Sequence, residues 1–294
     1  MSPLRWLAER FEGAPYTADL GFRIETIEPD RVQVRLPFKD AIANPGGALH
    51  GGVTASSIDV AGVLAAWTGI DPRPDLRGGT LDLGVNYLAA AIEEDIVATA
   101  EVLRRGKEIV YTAVTVRNDG GKRIAAGMVT YRIVAEAAVP HARSRQRYTP
   151  AAPLPADPSL IRGAAAFVSF GFIARLGMEV VHAADGRAVL SMPARPDTFD
   201  IDGTVHEGAL AALIDTTGAL ASWSIVGLNL TYKASTVGIH VSYHSPARDE
   251  TVVAAAQTVR RDNEIFLNQV TVSGQTSGHL VATGSVTYRI VVPD

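Results

Sequence analysis

No cysteine occurs in the 294 residues. Its absence excludes disulfides, thiolate nucleophiles and cysteine-ligated metals, and it fits a reducing compartment. No unbroken apolar run reaches the roughly 18 residues of a spanning helix, so no membrane span is expected. The opening stretch MSPLRWLAERFEG lacks the apolar segment of a secretory leader. Basic charge is not in excess either. The formal net charge is −4, which offers nucleic acid no electrostatic footprint. Seven histidines are present, without the close spacing of a zinc site, so no metal is expected. These absences point to a cytoplasmic protein without nucleic-acid or membrane partners.

What the chain has instead is a second copy of itself. Residues 46–67 read GGALHGGVTASSIDVAGVLAAW, and residues 202–223 read DGTVHEGALAALIDTTGALASW. His50, Asp59 and Trp67 match His206, Asp215 and Trp223 at a constant offset of 156. Tyr87 matches Tyr243 and Arg104-Arg105 matches Arg260-Arg261 at that same offset. The closing segment VTYRIV, at 129–134 and 286–291, is displaced by 157, so one residue is inserted in a late hairpin. A unit this long is a duplicated domain, since solenoid repeats run to about 20–50 residues. Two copies of one fold in one chain form a covalent pseudo-dimer. Any site on its twofold then becomes two sites that can diverge.

The expected division is a first domain at 1–134, a linker at 135–158 and a second domain at 159–294. The linker carries Pro140, Pro150, Pro153, Pro155 and Pro158, together with Arg143, Arg145 and Arg147. Such composition favours a solvated, extended connection over a phosphate- or RNA-binding cluster. Each half repeats one plan. A short amphipathic helix (about 3–11, and about 159–173) precedes two strands (21–28 and 31–37; 177–183 and 186–193). A Gly/Asn/Asp-rich loop and a long apolar helix follow (about 51–68 and 207–225), and four strands finish the half. Asn118-Asp119-Gly120-Gly121 signals a hairpin turn. The long helices are apolar nearly all round and are expected to be buried. The fold class is therefore α+β, with a long buried helix wrapped by an antiparallel sheet, twice over.

His50 and Asp59 are nine residues apart. On one α-helix that spacing amounts to half a turn, so the two would point in opposite directions. Two such helices packed about a twofold can bring them together, which pairs His50 with Asp215 and His206 with Asp59. A carboxylate in the middle of an apolar helix is costly unless it is paired or hydrogen-bonded. Each Asp is thus either a satisfied structural group or a base with a raised pKa. Gly51-Gly52 at the helix start would let a ligand approach unpaired N–H groups at the positive end of the dipole. That arrangement could polarise a carbonyl, or it could be only a tight turn into the helix.

HGG at the start of an apolar helix, with Asn six residues before the His and Asp nine after it, resembles the hotdog-fold acyl-CoA thioesterases of the PaaI-like type. The chain looks like a tandem double-hotdog version of them. The resemblance implies hydrolysis of acyl-CoA to free acid and CoA at a site between the two hotdog halves. It implies no cofactor, since coenzyme A is part of the substrate, and it suggests a homodimer of double-hotdog chains. Carried over, one site holds Asn44, His50 and the Gly51 N–H facing Asp215 and Thr236. Asp215 activates a water there or attacks directly. The other site holds Asp200, His206 and Glu207 facing Asp59 and Thr80. Asp200 stands where Asn44 does and Glu207 where Gly51 does, and three acidic groups in one pocket would repel a developing oxyanion. The first site is therefore expected to be active and the second weakened or dead. The resemblance also suggests that Arg105, Lys107 and Arg261 meet CoA phosphates, although ordinary solvated hairpin charge would explain them equally well. His244 is expected at a strand end, away from the chemistry. Two alternatives remain, a hotdog hydratase or dehydratase and a non-catalytic acyl-CoA binding module.

Overall fold

The computed structural model describes residues 3–71, 75–135, 158–229 and 231–292. Most of the expected linker lies outside the described residues. The first half runs α1 (Pro3–Glu12), α2 (Pro15–Leu20), β1 (Arg23–Glu28), β2 (Arg31–Leu36), α3 (Gly51–Thr68), β3 (Leu76–Tyr87), β4 (Ile96–Arg105), β5 (Ile109–Asn118) and β6 (Arg123–Ala135). The second half runs α4 (Pro158–Val168), α5 (Gly171–Arg175), β7 (Glu179–Ala184), β8 (Arg187–Met192), α6 (Glu207–Val226), β9 (Lys233–Tyr243), β10 (Val252–Asp262), β11 (Ile265–Gly274) and β12 (Leu280–Val291).

The leading helix of each half is two helices rather than the single one expected. Pro15 sits in the first turn of α2, where its missing N–H costs nothing, and Gly21 ends that helix at φ 83°. In the second half the break falls before Gly171, at φ 52°. The inserted residue of the repeat lies in the β11–β12 hairpin, whose loop spans 275–279 where the β5–β6 loop spans 119–122.

Among the described residues, twelve strands form one antiparallel sheet in the order β1-β2-β4-β5-β6-β3-β9-β12-β11-β10-β8-β7. The halves join where β3 pairs with β9, with Leu83 opposite Val241, Gly84 opposite His240 and Val85 opposite Ile239. Gly84 and His240 are separated by the repeat offset, so the pseudo-twofold axis passes through this pair. Two further equivalent residues, Asp19 and Arg175, form an ion pair across the halves. This join was not foreseen, because nothing local in a strand names the edge it will pair with.

Helix α3 packs on β2, β4, β5 and β6, and α6 packs on β8, β10, β11 and β12. Both helices are apolar on every side because sheet covers one face and the partner helix covers another. Every residue from Gly52 to Gly62 is buried. By length and composition α6 could cross a membrane, but 83% of its apolar window is buried in the fold. In the sequence its apolar run is interrupted by Asp215, Thr216 and Thr217. The two helices touch at their small residues. A methyl placed on Gly52 would stand 2.3 Å from Cβ of Ala212, and one on Gly208 would stand 2.5 Å from Oγ of Ser56.

Candidate active site

His50 is the N-cap of α3, in extended backbone, and its Nδ1 accepts the Gly52 N–H at 2.9 Å. Burial lowers its pKa to about 4, so the ring is neutral. With Nδ1 accepting, the other nitrogen carries the proton and is a donor. The Gly51 N–H is the first amide of the helix. It has no i−4 carbonyl and no other partner among the described residues.

Asp215 comes from the middle of α6 and meets this helix start. A Cβ on Gly51 would sit 2.6 Å from Asp215 Oδ2. Thr236 on β9 donates to Asp215 Oδ1 at 2.6 Å. Oδ2 has no hydrogen-bond partner among the described residues. Burial raises the Asp215 pKa to about 6, and the Thr236 hydroxyl partly offsets the rise. His50-Gly51 of one half and Asp215-Thr236 of the other are thus brought together, as the helical phase requires. Asn44 is half-buried in the turn before His50. Its N–H donates to the Ala48 carbonyl at 2.7 Å, and its own carbonyl accepts from Gly47.

The second site is built the same way from the opposite halves. His206 caps α6 with Nδ1 accepting the Gly208 N–H at 2.9 Å. Thr80 on β3 donates to Asp59 Oδ1 at 2.8 Å. Asp200 occupies the turn equivalent to that of Asn44. Here the charges crowd. Burial pushes the Asp59 carboxyl up to about 7, with Asp200 adding to the rise. Glu207 is pushed well above the carboxylate range by burial, then by Asp59 and Asp200.

One ligand-capable atom from each of Asp59, His206 and Glu207 lies within 4.8 Å of the others. The set does not suit a cation. One imidazole nitrogen already accepts a backbone N–H and the other bears the proton, so neither offers a free lone pair. The crowding has a consequence for stability. The folded chain holds the Asp59 proton more tightly than the unfolded chain does. Asp59 therefore contributes stability below pH about 4 that is lost as the pH rises through about 7. Asp59→Asn removes that loss. The thermal midpoint is expected to rise by several degrees at pH 8 and to move little at pH 4. An equal shift at both pH values would show that Asp59 is not the titrating group.

Several residues around the two sites were not picked out from the sequence. Tyr87 donates from its hydroxyl to the Gly51 carbonyl at 2.9 Å, and Tyr243 does the same to the Glu207 carbonyl at 2.9 Å. Each tyrosine fixes the first turn of one helix. Phe172 lies against the His50 ring at 5.6 Å, and its counterpart Tyr16 stacks on His206 at 4.4 Å. The Tyr16 hydroxyl is bonded to Ser56 at 2.8 Å. The equivalent pair in the other half is Phe172 with Ala212, in which neither hydroxyl is present. The repeat itself carried both signals, as a matched tyrosine and as a paired exchange at one offset.

Arg105, suggested for CoA phosphates or as ordinary hairpin charge, is engaged by two partners. It donates to the Ala66 carbonyl at 2.7 Å, near the end of α3, and pairs with Asp30 at 2.5 Å. Lys107 is exposed. Arg261 lies over the Phe266 ring at 5.1 Å and bonds the Asn263 carbonyl. His244 follows β9 directly and bonds Thr283 at 2.9 Å.

The sequence profile of the Thioesterase superfamily matches residues 46–125 and 202–278, one region in each half. The human acyl-coenzyme A thioesterase 13 is 35% identical over 104 residues, which cover 35% of this chain and 72% of that protein. The medium/long-chain acyl-CoA thioesterase YigI of Escherichia coli K12 is 31% identical over 134 residues, covering 40% of this chain and 85% of that protein. Both matches take in less than half of the chain. Likeness along nearly its whole length is found among solved structures. A hot dog fold protein of unknown function from Alicyclobacillus acidocaldarius covers 97% of this chain and 98% of its own, with 17% identity and a TM-score of 0.65. Acyl-CoA thioesterase II TesB2 from Mycobacterium marinum covers 92% and 96%, with 16% identity and a TM-score of 0.63. At these identities the likeness is one of fold, two hotdog units in tandem.

Proposed function

The chain belongs to the thioesterase superfamily, with one matching region in each half, and from that premise we propose that it hydrolyses acyl-CoA thioesters at the Asn44/His50/Gly51/Asp215/Thr236 site. The observation that carries this reading is the position of Asp215. A partner-free carboxylate oxygen stands beside an unpaired helix N-terminal amide, close enough that no side chain fits between them.

The thioester carbonyl oxygen accepts the Gly51 N–H, where the helix dipole favours the charge that develops on it. Asp215 Oδ2 takes a proton from water, and the hydroxide adds to the carbonyl carbon. The C–S bond then breaks, and the proton held by Asp215 passes to the thiolate, leaving the free acid and CoA. Thr236 keeps Oδ1 bonded so that Oδ2 is the oxygen that moves the proton. Neutral His50 is pinned through Nδ1 and offers its remaining N–H to the thioester. The Tyr87 hydroxyl holds the first helical turn in place. Lys107 and Arg261 are offered to the CoA phosphates, with Arg105 held between Ala66 and Asp30.

The reading is tested by free-thiol release from a panel of aliphatic and aryl acyl-CoAs. Turnover is expected. Binding of acyl-CoA without thiol release would overturn the reading in favour of a binding module, and addition of water to an enoyl-CoA would favour a hydratase. The pH profile adds a sharper check. Asp215 must be ionised to act, so kcat/KM should rise through pH about 6 and level off above it. The Thr236 hydroxyl favours the ionised form, so Thr236→Val should move that limb to higher pH. An unmoved limb would place the titration elsewhere.

A further inference from the structure

The second site keeps most of the parts of the first. His206 is capped through Nδ1, Asp59 is held by Thr80, Tyr243 braces the helix start and an aromatic ring lies on the imidazole. The Tyr16–Ser56 exchange does not alter the pocket's donors, because Tyr16 donates to Ser56 and the Ser56 proton goes to the Gly52 carbonyl. Two differences bear on the chemistry, Glu207 in place of Gly51 and Asp200 in place of Asn44.

Glu207 brings an oxygen within 4.8 Å of the Asp59 and His206 ligand atoms, where the first site has only the hydrogen of Gly51 beside its carboxylate. The space next to the base is taken by this side chain. We propose that the second site is a thioesterase site held shut by Glu207, and that Glu207→Gly with Asp200→Asn opens it to acyl-CoA. The inference rests on the reading of the first site. Once the site is open, Asp59 takes the proton from water, the hydroxide adds to the carbonyl carbon, and the C–S bond breaks with that proton going to the thiolate.

The backbone accepts the change. Residue 207 is the first helical residue after an N-cap whose φ and ψ, −62° and 139°, match those of His50, −63° and 142°. Glycine already stands at the equivalent place in α3.

The test is a gain of function. Thiol release from acyl-CoA is measured for wild type, for Asp215→Ala, for Asp215→Ala with Glu207→Gly and Asp200→Asn, and for that triple variant with Asp59→Ala added. Wild type is active, Asp215→Ala is silent, the triple variant recovers at least about 100-fold over Asp215→Ala, and Asp59→Ala abolishes the recovery. A folded triple variant that stays silent beside an active wild type overturns the inference alone. A wild type that releases no thiol overturns the reading of the first site, and the inference with it. If the triple variant does not fold, Glu207→Gly alone is titrated with a non-hydrolysable thioether analogue of acyl-CoA. Two molecules bound per chain, against one for wild type, supports the inference, and one per chain overturns it.

Discussion

Asp215→Ala lowers thioester turnover by about 10²–10⁴-fold, whereas Asp59→Ala leaves it largely intact. The two carboxylates occupy the same helical position in the repeat, and both are buried and hydroxyl-bonded. They differ in what faces them. Asp215 Oδ2 faces a glycine and an open amide, and no acidic neighbour contributes to its raised pKa. Asp59 faces Glu207, with Asp200 nearby. A base must be free to ionise, and of the two only Asp215 lacks an acidic neighbour that opposes it. The comparison is made by steady-state thiol release from one good substrate, with unfolding midpoints confirming that both variants fold. Loss in Asp59→Ala with retention in Asp215→Ala would reverse the assignment of the two sites. Asp215→Asn refines the result. It keeps the shape and a bond to Thr236 but cannot take a proton, so it should be as inactive as the alanine variant.

Gly52→Ala destabilises the chain by about 3 kcal/mol, near the upper end for overpacking. The added Cβ would lie 2.3 Å from Cβ of Ala212 and 2.7 Å from its Cα. The second of these is backbone, so no rotamer change relieves it, and the two helices must move apart. Their separation also sets the spacing between Gly51 and Asp215, one residue away. A shift of about 1 Å in a reacting group can cost about 10²-fold in rate. Thermal unfolding should therefore show a midpoint lower by about 5–10 °C, with activity falling alongside it. Ala212→Gly in the same chain removes the Cβ–Cβ clash and should restore part of both. An unchanged midpoint for Gly52→Ala would mean that the crossing is looser than these distances allow.

The meeting of the His50-Gly51 helix start with Asp215 was legible because helical phase rules out a single helix. Nine residues on one helix put the two side chains on opposite faces, and the repeat supplied the second helix. The burial of α3 and α6 was legible from their all-round apolarity. The continuous sheet was not, because β3 and β9 meet through backbone bonds that any strand can make. The partners of Arg105, a carbonyl at the end of α3 and Asp30, were not legible, because a linear reading does not place them beside a β-hairpin. The Glu207 substitution was visible, and its acidity pointed to repulsion. The reach of Glu207 toward Asp59 and His206 was not visible, since it depends on how the side chain folds at the first turn of the helix.

The ion pair between Asp19 and Arg175 bears on how this chain came to differ from a pair of identical subunits. These residues are equivalents that meet near the pseudo-twofold axis. In a symmetric dimer of either half, each would face its own kind, aspartate against aspartate or arginine against arginine. Gly84 opposite His240 breaks the same symmetry at the axis itself. Like charges in place of this half-buried pair would disfavour self-association. The two halves have become a matched left and right, complementary to each other and no longer each to itself. Separating them at the linker would not return the chain to two interchangeable dimers.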